Sequence, residues 1–279
     1  MPLPDDKWLE SSRPPEWARA EGVPLVLFDI LGFGKIIDRN ELAKVARYVK
    51  TLGQFGDIAN RTVGTSGYRL DADVRFIDSV IYSDSVLIFA RENRTRSVVN
   101  LVDCAIAVFN SAISMGFGLR GAITKGELFV SDDKRIVLGK GLVSAYRLEQ
   151  RQAWLGAVCD EDAPWTEYER NELRILKDTG RFMSFDVPLW KDPKHKDLGI
   201  ETRTMAALGW PGGWNTPPRD LRARLSELTG PAEGHAAEYI ERGQSFAAYC
   251  VEHDPLREER EKMLEAMQRA ARGDREPGR

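Results

Sequence analysis

An apolar run that ends in an acid constrains this chain more than any other feature. Val23-Pro24-Leu25-Val26-Leu27-Phe28 leads straight into Asp29, which is followed by Ile30-Leu31-Gly32-Phe33-Gly34. Consecutive apolar residues of this kind read as a central strand covered on both faces. A carboxylate at the exit of such a strand costs free energy unless it has a partner. A second aspartate, Asp84, lies in Tyr82-Ser83-Asp84-Ser85, between segments 73–82 and 85–90 that are rich in Val, Ile, Tyr and Phe. That pattern predicts a β-hairpin with Asp84 at or beside its tip. If the hairpin neighbours the first strand, the two carboxylates repel each other unless a divalent cation lies between them. Hard oxygen ligands of this sort suit Mg²⁺ or Mn²⁺.

The rest of the chain organises around these strands. Residues 1–22 are polar and proline-bearing and read as an irregular lead-in. Apolar residues recur at helical spacing over 40–61, with Asn40 as N-cap, and again over 95–115. Strands follow at 119–124 and 127–130, then an apolar segment at 135–138. Gly139-Lys140-Gly141 opens a helix over 142–150, which precedes a strand at 156–160. The order β-α-β-β-α-β-α-β predicts an α/β (α+β) fold, a ferredoxin-like sandwich with a mixed sheet, over residues 23–160. Residues 161–272 read as a mainly helical C-terminal extension with short strands near 182–190 and 201–207. Its helices fall near 164–176, 219–229, 233–252 and 256–271, and 273–279 reads as a disordered tail.

Composition removes several function classes. A net charge of −3 and a pI near 5.8 give no basic field for nucleic acid. Cys104, Cys159 and Cys250 are far apart in sequence, which argues against a disulfide framework or zinc ribbon. His195, His235 and His253 are equally scattered. The N-terminal residues lack the order of a signal peptide, and the apolar stretch around Asp29 is short of the roughly 20 residues a membrane helix needs. The expectation is a soluble, cytoplasmic protein that binds neither membrane nor nucleic acid. Neither Gly34-Lys35 nor Gly139-Lys140 completes a P-loop, and no strand–GxGxxG–helix unit, GxSxG or HExxH occurs. Gly32-Phe33-Gly34, directly after the strand, is instead the candidate phosphate cradle, since its backbone N–H groups can face phosphate oxygens.

Two further segments carry a resemblance. They are Leu119-Arg120-Gly121-Ala122-Ile123-Thr124-Lys125-Gly126-Glu127 and Gly139-Lys140-Gly141-Leu142-Val143-Ser144-Ala145-Tyr146-Arg147-Leu148-Glu149. Together with Phe28–Phe33 and Tyr82-Ser83-Asp84, in this order and spacing, they resemble the class III nucleotidyl cyclases across about half the chain. Within that group the chain looks most like the bacterial pyrimidine cyclases of the Pycsar antiphage systems, which make cyclic CMP or cyclic UMP. The resemblance implies a nucleoside triphosphate substrate and two divalent cations, Mn²⁺ or Mg²⁺, held by Asp29, the Ile30 carbonyl and Asp84. It implies triphosphate binding at Gly32, Phe33 and Gly34, and transition-state stabilisation by Arg147. It also implies a homodimer with shared active sites, Arg147 reaching the site of the opposite subunit, and a downstream effector that binds the product rather than this protein.

Two departures from the family pattern shape the expected substrate. The transition-state asparagine, four positions before the arginine, is Val143, with Ser144, Lys140 or Lys125 as candidate replacements. The base-reading positions are Val80 and Ile136. An apolar pair cannot read a purine edge by hydrogen bonds, which favours a pyrimidine, UTP ahead of CTP. The competing expectations are a catalytically silent cyclase-like domain that binds nucleotide as a regulator, and a purine cyclase with an unusual base pocket.

Overall fold

The computed structural model describes residues 22–62, 77–91, 96–131, 133–213 and 220–256, with 258 and 262. The expected strand residues 73–76, residues 1–21 of the lead-in, most of the expected 256–271 helix and the tail therefore lie outside the described residues. Strand β1 (Val23–Ile30) is followed by helices α1 (Phe33–Arg39) and α2 (Leu42–Thr62). Strands β2 (Ile77–Tyr82) and β3 (Ser85–Ala90) come next, then α3 (Ser97–Met115) and β4 (Leu119–Gly126). Short strands β5 (Phe129–Val130) and β6 (Val137–Leu138) precede α4 (Lys140–Arg151), β7 (Gly156–Cys159) and α5 (Glu167–Asp178). Strands β8 (Phe182–Trp190) and β9 (Ile200–Leu208) and helices α6 (Leu221–Thr229) and α7 (His235–Glu252) complete the described chain.

Seven strands form one sheet in the order β2-β3-β1-β4-β7-β9-β8. Its first four strands have the order and antiparallel pairing of a ferredoxin-like βαββαβ unit, with β1 at the centre between β3 and β4. Strand β7 adds in parallel to β4, which makes the sheet mixed. The strands expected near 182–190 and 201–207 are β8 and β9, which pair over nine residues and join the same sheet where β9 meets β7.

Strand alternation sorts β1 between two apolar layers. Val26, Phe28 and Ile30 face the layer built with α3, whose Leu101, Val102, Ala105, Val108 and Phe109 are buried. By length and composition alone α3 is apolar enough to cross a membrane, but here its apolar residues line the core. Val23, Leu25 and Leu27 face the opposite layer, with Val80, Leu87, Phe89, Ala122 and Ala145 of α4. Helix α4 comes this close because its first turn crosses β4 at glycine: a Cβ on Gly141 would lie 2.7 Å from Leu25 Cδ2 and 3.1 Å from the Gly126 backbone.

Two local readings differ from the sequence. Asn40 does not open α2; it closes α1, and its side-chain amide donates to the carbonyls of Ile36 and Leu228, each at 2.9 Å. The glycine turn after β1 leads at once into α1, a helix too short to show a periodic pattern.

Candidate active site

Alternation places Asp29 on the α4 side of the sheet, in register with Ser85 on β3 and Arg120 on β4. The β2–β3 turn takes only Ser83 and Asp84, with Ser83 at φ 53°, and Tyr82 pairs Ser85 across it. The Ile30 N–H donates to the Asp84 carbonyl at 2.8 Å, which staples the hairpin tip to the end of β1. The two aspartates proposed as metal ligands thus meet at the middle of the sheet, with Ile30 beside them and itself buried.

The electrostatics record that proximity. Burial, then the negative charge of Glu149, push the Asp29 carboxyl up to about 6; Arg120 opposes them and Asp84 adds to them. The Asp29 side chain is only 25% exposed, so the shift stands for roughly 3 kcal/mol of unfavourable charge. Glu149 is likewise raised by burial, against Arg120 and Gln150, with Asp84 adding to the rise. An incoming divalent cation would relieve this excess of negative charge. Among the described residues no three His, Cys, Asp or Glu side chains converge into a metal cage. The protein donors on offer are two carboxylates and a carbonyl, all hard oxygens that fit Mg²⁺ or Mn²⁺ and leave coordination positions for phosphate oxygens.

The other site residues are distributed as follows. Gly32 is left-handed at φ 71° and caps α1, leaving the first-turn amides without helical carbonyls. Gly34 is exposed, and a Cβ there would meet nothing within 4 Å; Phe33 packs partly against the core. Val80 is buried in the α4-side layer, whereas Ile136 is 53% exposed and belongs to no apolar cluster. Arg147 is exposed on α4 beside exposed Val143 and Tyr146, and makes no hydrogen bond or ion pair with the described residues. Of the groups suggested for the asparagine's place, Lys125 is taken: it is buried and paired with Glu169 at 2.7 Å. Lys140 pairs Glu127 at 3.2 Å, and Ser144 is exposed.

Asp78 on β2 is half-buried. Burial alone would raise its carboxyl, but Lys134 and Arg91 hold it below the usual range. Through Lys134 it ties the β5–β6 hairpin to β2.

Sequence reasoning missed the Arg120–Glu149 ion pair, buried at 8% and 1% side-chain exposure. The one available signal was an arginine among the apolar residues Leu119, Ala122 and Ile123 of the predicted strand. A cleft of about 300 Å³ lies elsewhere, between α3 and α5, lined by Arg96, Asp103, Glu172 and Arg181 among others.

No family model matches the sequence, and no curated protein matches it. Two solved structures of a bacterial light-regulated adenylyl cyclase are similar to it, each at 10% identity. One aligns over 80% of this chain with a TM-score of 0.42, the other over 59% with a TM-score of 0.38. The chain spans 65% of the length of the first and 83% of the second. A likeness at this level decides neither activity nor substrate.

Proposed function

We propose that this protein is a nucleotidyl cyclase that converts a pyrimidine nucleoside triphosphate, UTP ahead of CTP, to the 3′,5′-cyclic monophosphate and pyrophosphate. The observation that carries the reading is the meeting of Asp29 and Asp84, on β1 and the β2–β3 turn, with a carboxyl raised by its surroundings. Asp29, Asp84 and the Ile30 carbonyl would hold the divalent cations, Mn²⁺ or Mg²⁺. When bound, these supply Lewis acidity toward the ribose 3′-hydroxyl and the triphosphate. The amides around Gly32–Gly34 would orient phosphate oxygens, and the Arg147 guanidinium would oppose charge developing at the α-phosphorus.

Arg147 is exposed and unpaired with the described residues, among exposed Val143 and Tyr146. That exposure fits a homodimer in which each arginine completes the partner's site, the arrangement that the resemblance implies. Pyrimidine preference rests on Val80 and Ile136, neither of which can bond a purine edge. A role as second-messenger synthase in bacterial antiphage defence, with an effector reading the cyclic product, follows the same resemblance.

Val143 favours a second reading, a silent domain that binds nucleotide without turning it over. One assay separates them: purified protein with Mn²⁺ and each of the four NTPs, products resolved by mass spectrometry. Cyclic UMP or CMP is expected, with a loss of at least about a hundredfold in Asp29→Ala and in Asp84→Ala. Mixing Asp29→Ala with Arg147→Ala subunits is expected to restore part of the activity. Binding without turnover of any NTP favours the silent domain, and cyclic AMP or GMP alone would overturn the pyrimidine assignment.

A further inference from the structure

A buried cation stands in the acidic cluster and has no part in the chemistry above. Arg120 is 6% exposed, and its Nη2 lies 3.6 Å from Asp29 Oδ2. Its Nε and Nη2 both engage Glu149 Oε1, and its Nη1 donates to the Gln152 carbonyl at 3.1 Å. The ring of Tyr239 on α7 lies 5.8 Å from its Cζ. A guanidinium presents five donors in a rigid fork, and here that fork spans β1, the C-terminal end of α4 and α7. Its partners are themselves held. Glu149 Oε2 accepts from Gln150 Nε2 at 2.8 Å; Gln152 donates to the Gly121 carbonyl at 2.6 Å and accepts from Trp154 Nε1 at 2.9 Å.

We propose that Arg120 is a positioning residue of this site, resting on the cyclase reading above. Gripping Glu149 and standing beside Asp29, it holds α4, and with it the exposed Arg147, in one register against the sheet that carries both aspartates. The asymmetry of its contacts fits that role. Glu149 is in direct hydrogen-bonding contact, whereas 3.6 Å to Asp29 is longer than a hydrogen bond. The guanidinium is therefore committed to α4, and the Asp29 oxygens stay free to ligate. Glu149 follows Arg147 by two positions on the same helix, so slack at Glu149 passes directly to Arg147.

The test uses the full chain with Arg120→Lys, Arg120→Met and Glu149→Gln. The readouts are Mn²⁺ binding to the nucleotide-free protein at pH 8, by electron paramagnetic resonance of unbound Mn²⁺, and kcat and KM for the NTP that the wild type turns over. Arg120→Lys keeps the charge but cannot span all three elements. It is expected to bind Mn²⁺ within about threefold of wild type, with KM little changed and kcat lowered about thirtyfold or more. Arg120→Met removes a positive charge beside Asp29 and should bind Mn²⁺ about tenfold tighter; a residue that merely held the fold would weaken metal binding instead. Should Arg120→Met fail to fold, Arg120→Lys and Glu149→Gln decide the matter, and each is expected to lower kcat far more than it changes KM. Wild-type kcat in a folded Arg120→Lys overturns the role of Arg120 while leaving the cyclase reading intact. A wild type that neither binds Mn²⁺ nor turns over any NTP overturns both.

Discussion

At the scale of single residues, Asp29 sits where its charge is least welcome. With its pKa raised to about 6 by burial, then Glu149, and further by Asp84, the folded state prefers the protonated acid. Stability from this group is therefore fully present below the unfolded value near 3.8 and is lost as pH rises through about 6. In EDTA, Asp29→Asn should match the wild type at pH 4 and exceed it by up to roughly 3 kcal/mol at pH 7. Urea unfolding at the two pH values checks this, and equal stability at both would refute it. Adding Mn²⁺ at pH 7 should stabilise the wild type and leave the variant unmoved.

Secondary-structure elements meet under tighter constraints than their sequences advertise. Helix α4 reaches β4 only because Gly141 faces Gly126 and Leu25 without a side chain. A Gly141→Ala change gains about 1 kcal/mol of helix propensity but forces a methyl into a packed contact that costs about 1–3 kcal/mol. The clash involves backbone and a fully buried leucine, so the loss should win, with Tm lowered by roughly 2–5 °C. Gly34→Ala in α1, where nothing lies near the added carbon, should leave Tm unchanged or raised in the same thermal scan. Element positions were legible because period-2 and period-3.6 patterns are local: β8 (Phe182–Trp190) and α7 (His235–Glu252) fall where alternation and helical spacing predict them. Helix α1 and the capping role of Asn40 were not legible, since one is two turns long and the other is set by Leu228, far along the chain.

Across the whole molecule, the C-terminal part is built into the first part's sheet and core. Strand β9 pairs with β7, Lys125 on β4 is neutralised by Glu169 of the α5 capping box, and Trp210 stacks on Phe109 of α3 at 5.0 Å. Cutting after residue 160 would leave Lys125 buried without its partner and the β7 edge unpaired, a combination expected to cost several kcal/mol. A fragment of residues 22–160 should accordingly be insoluble or lack near-UV circular dichroism; a monomer with native-like near-UV signal would show instead that the two parts fold independently. By itself the sequence determined where the longer strands and helices lie, that an acid closes the central strand, and that a second acid lies at a hairpin tip. Those facts are written in local patterning and in the cost of burying a charge. Only the tertiary structure decided that β1 lies between β3 and β4, and so that Asp29 meets Arg120, and that Glu149 turns inward to hold that arginine while Arg147 turns outward. Register and helix rotation are set by long-range packing, and no local pattern encodes them.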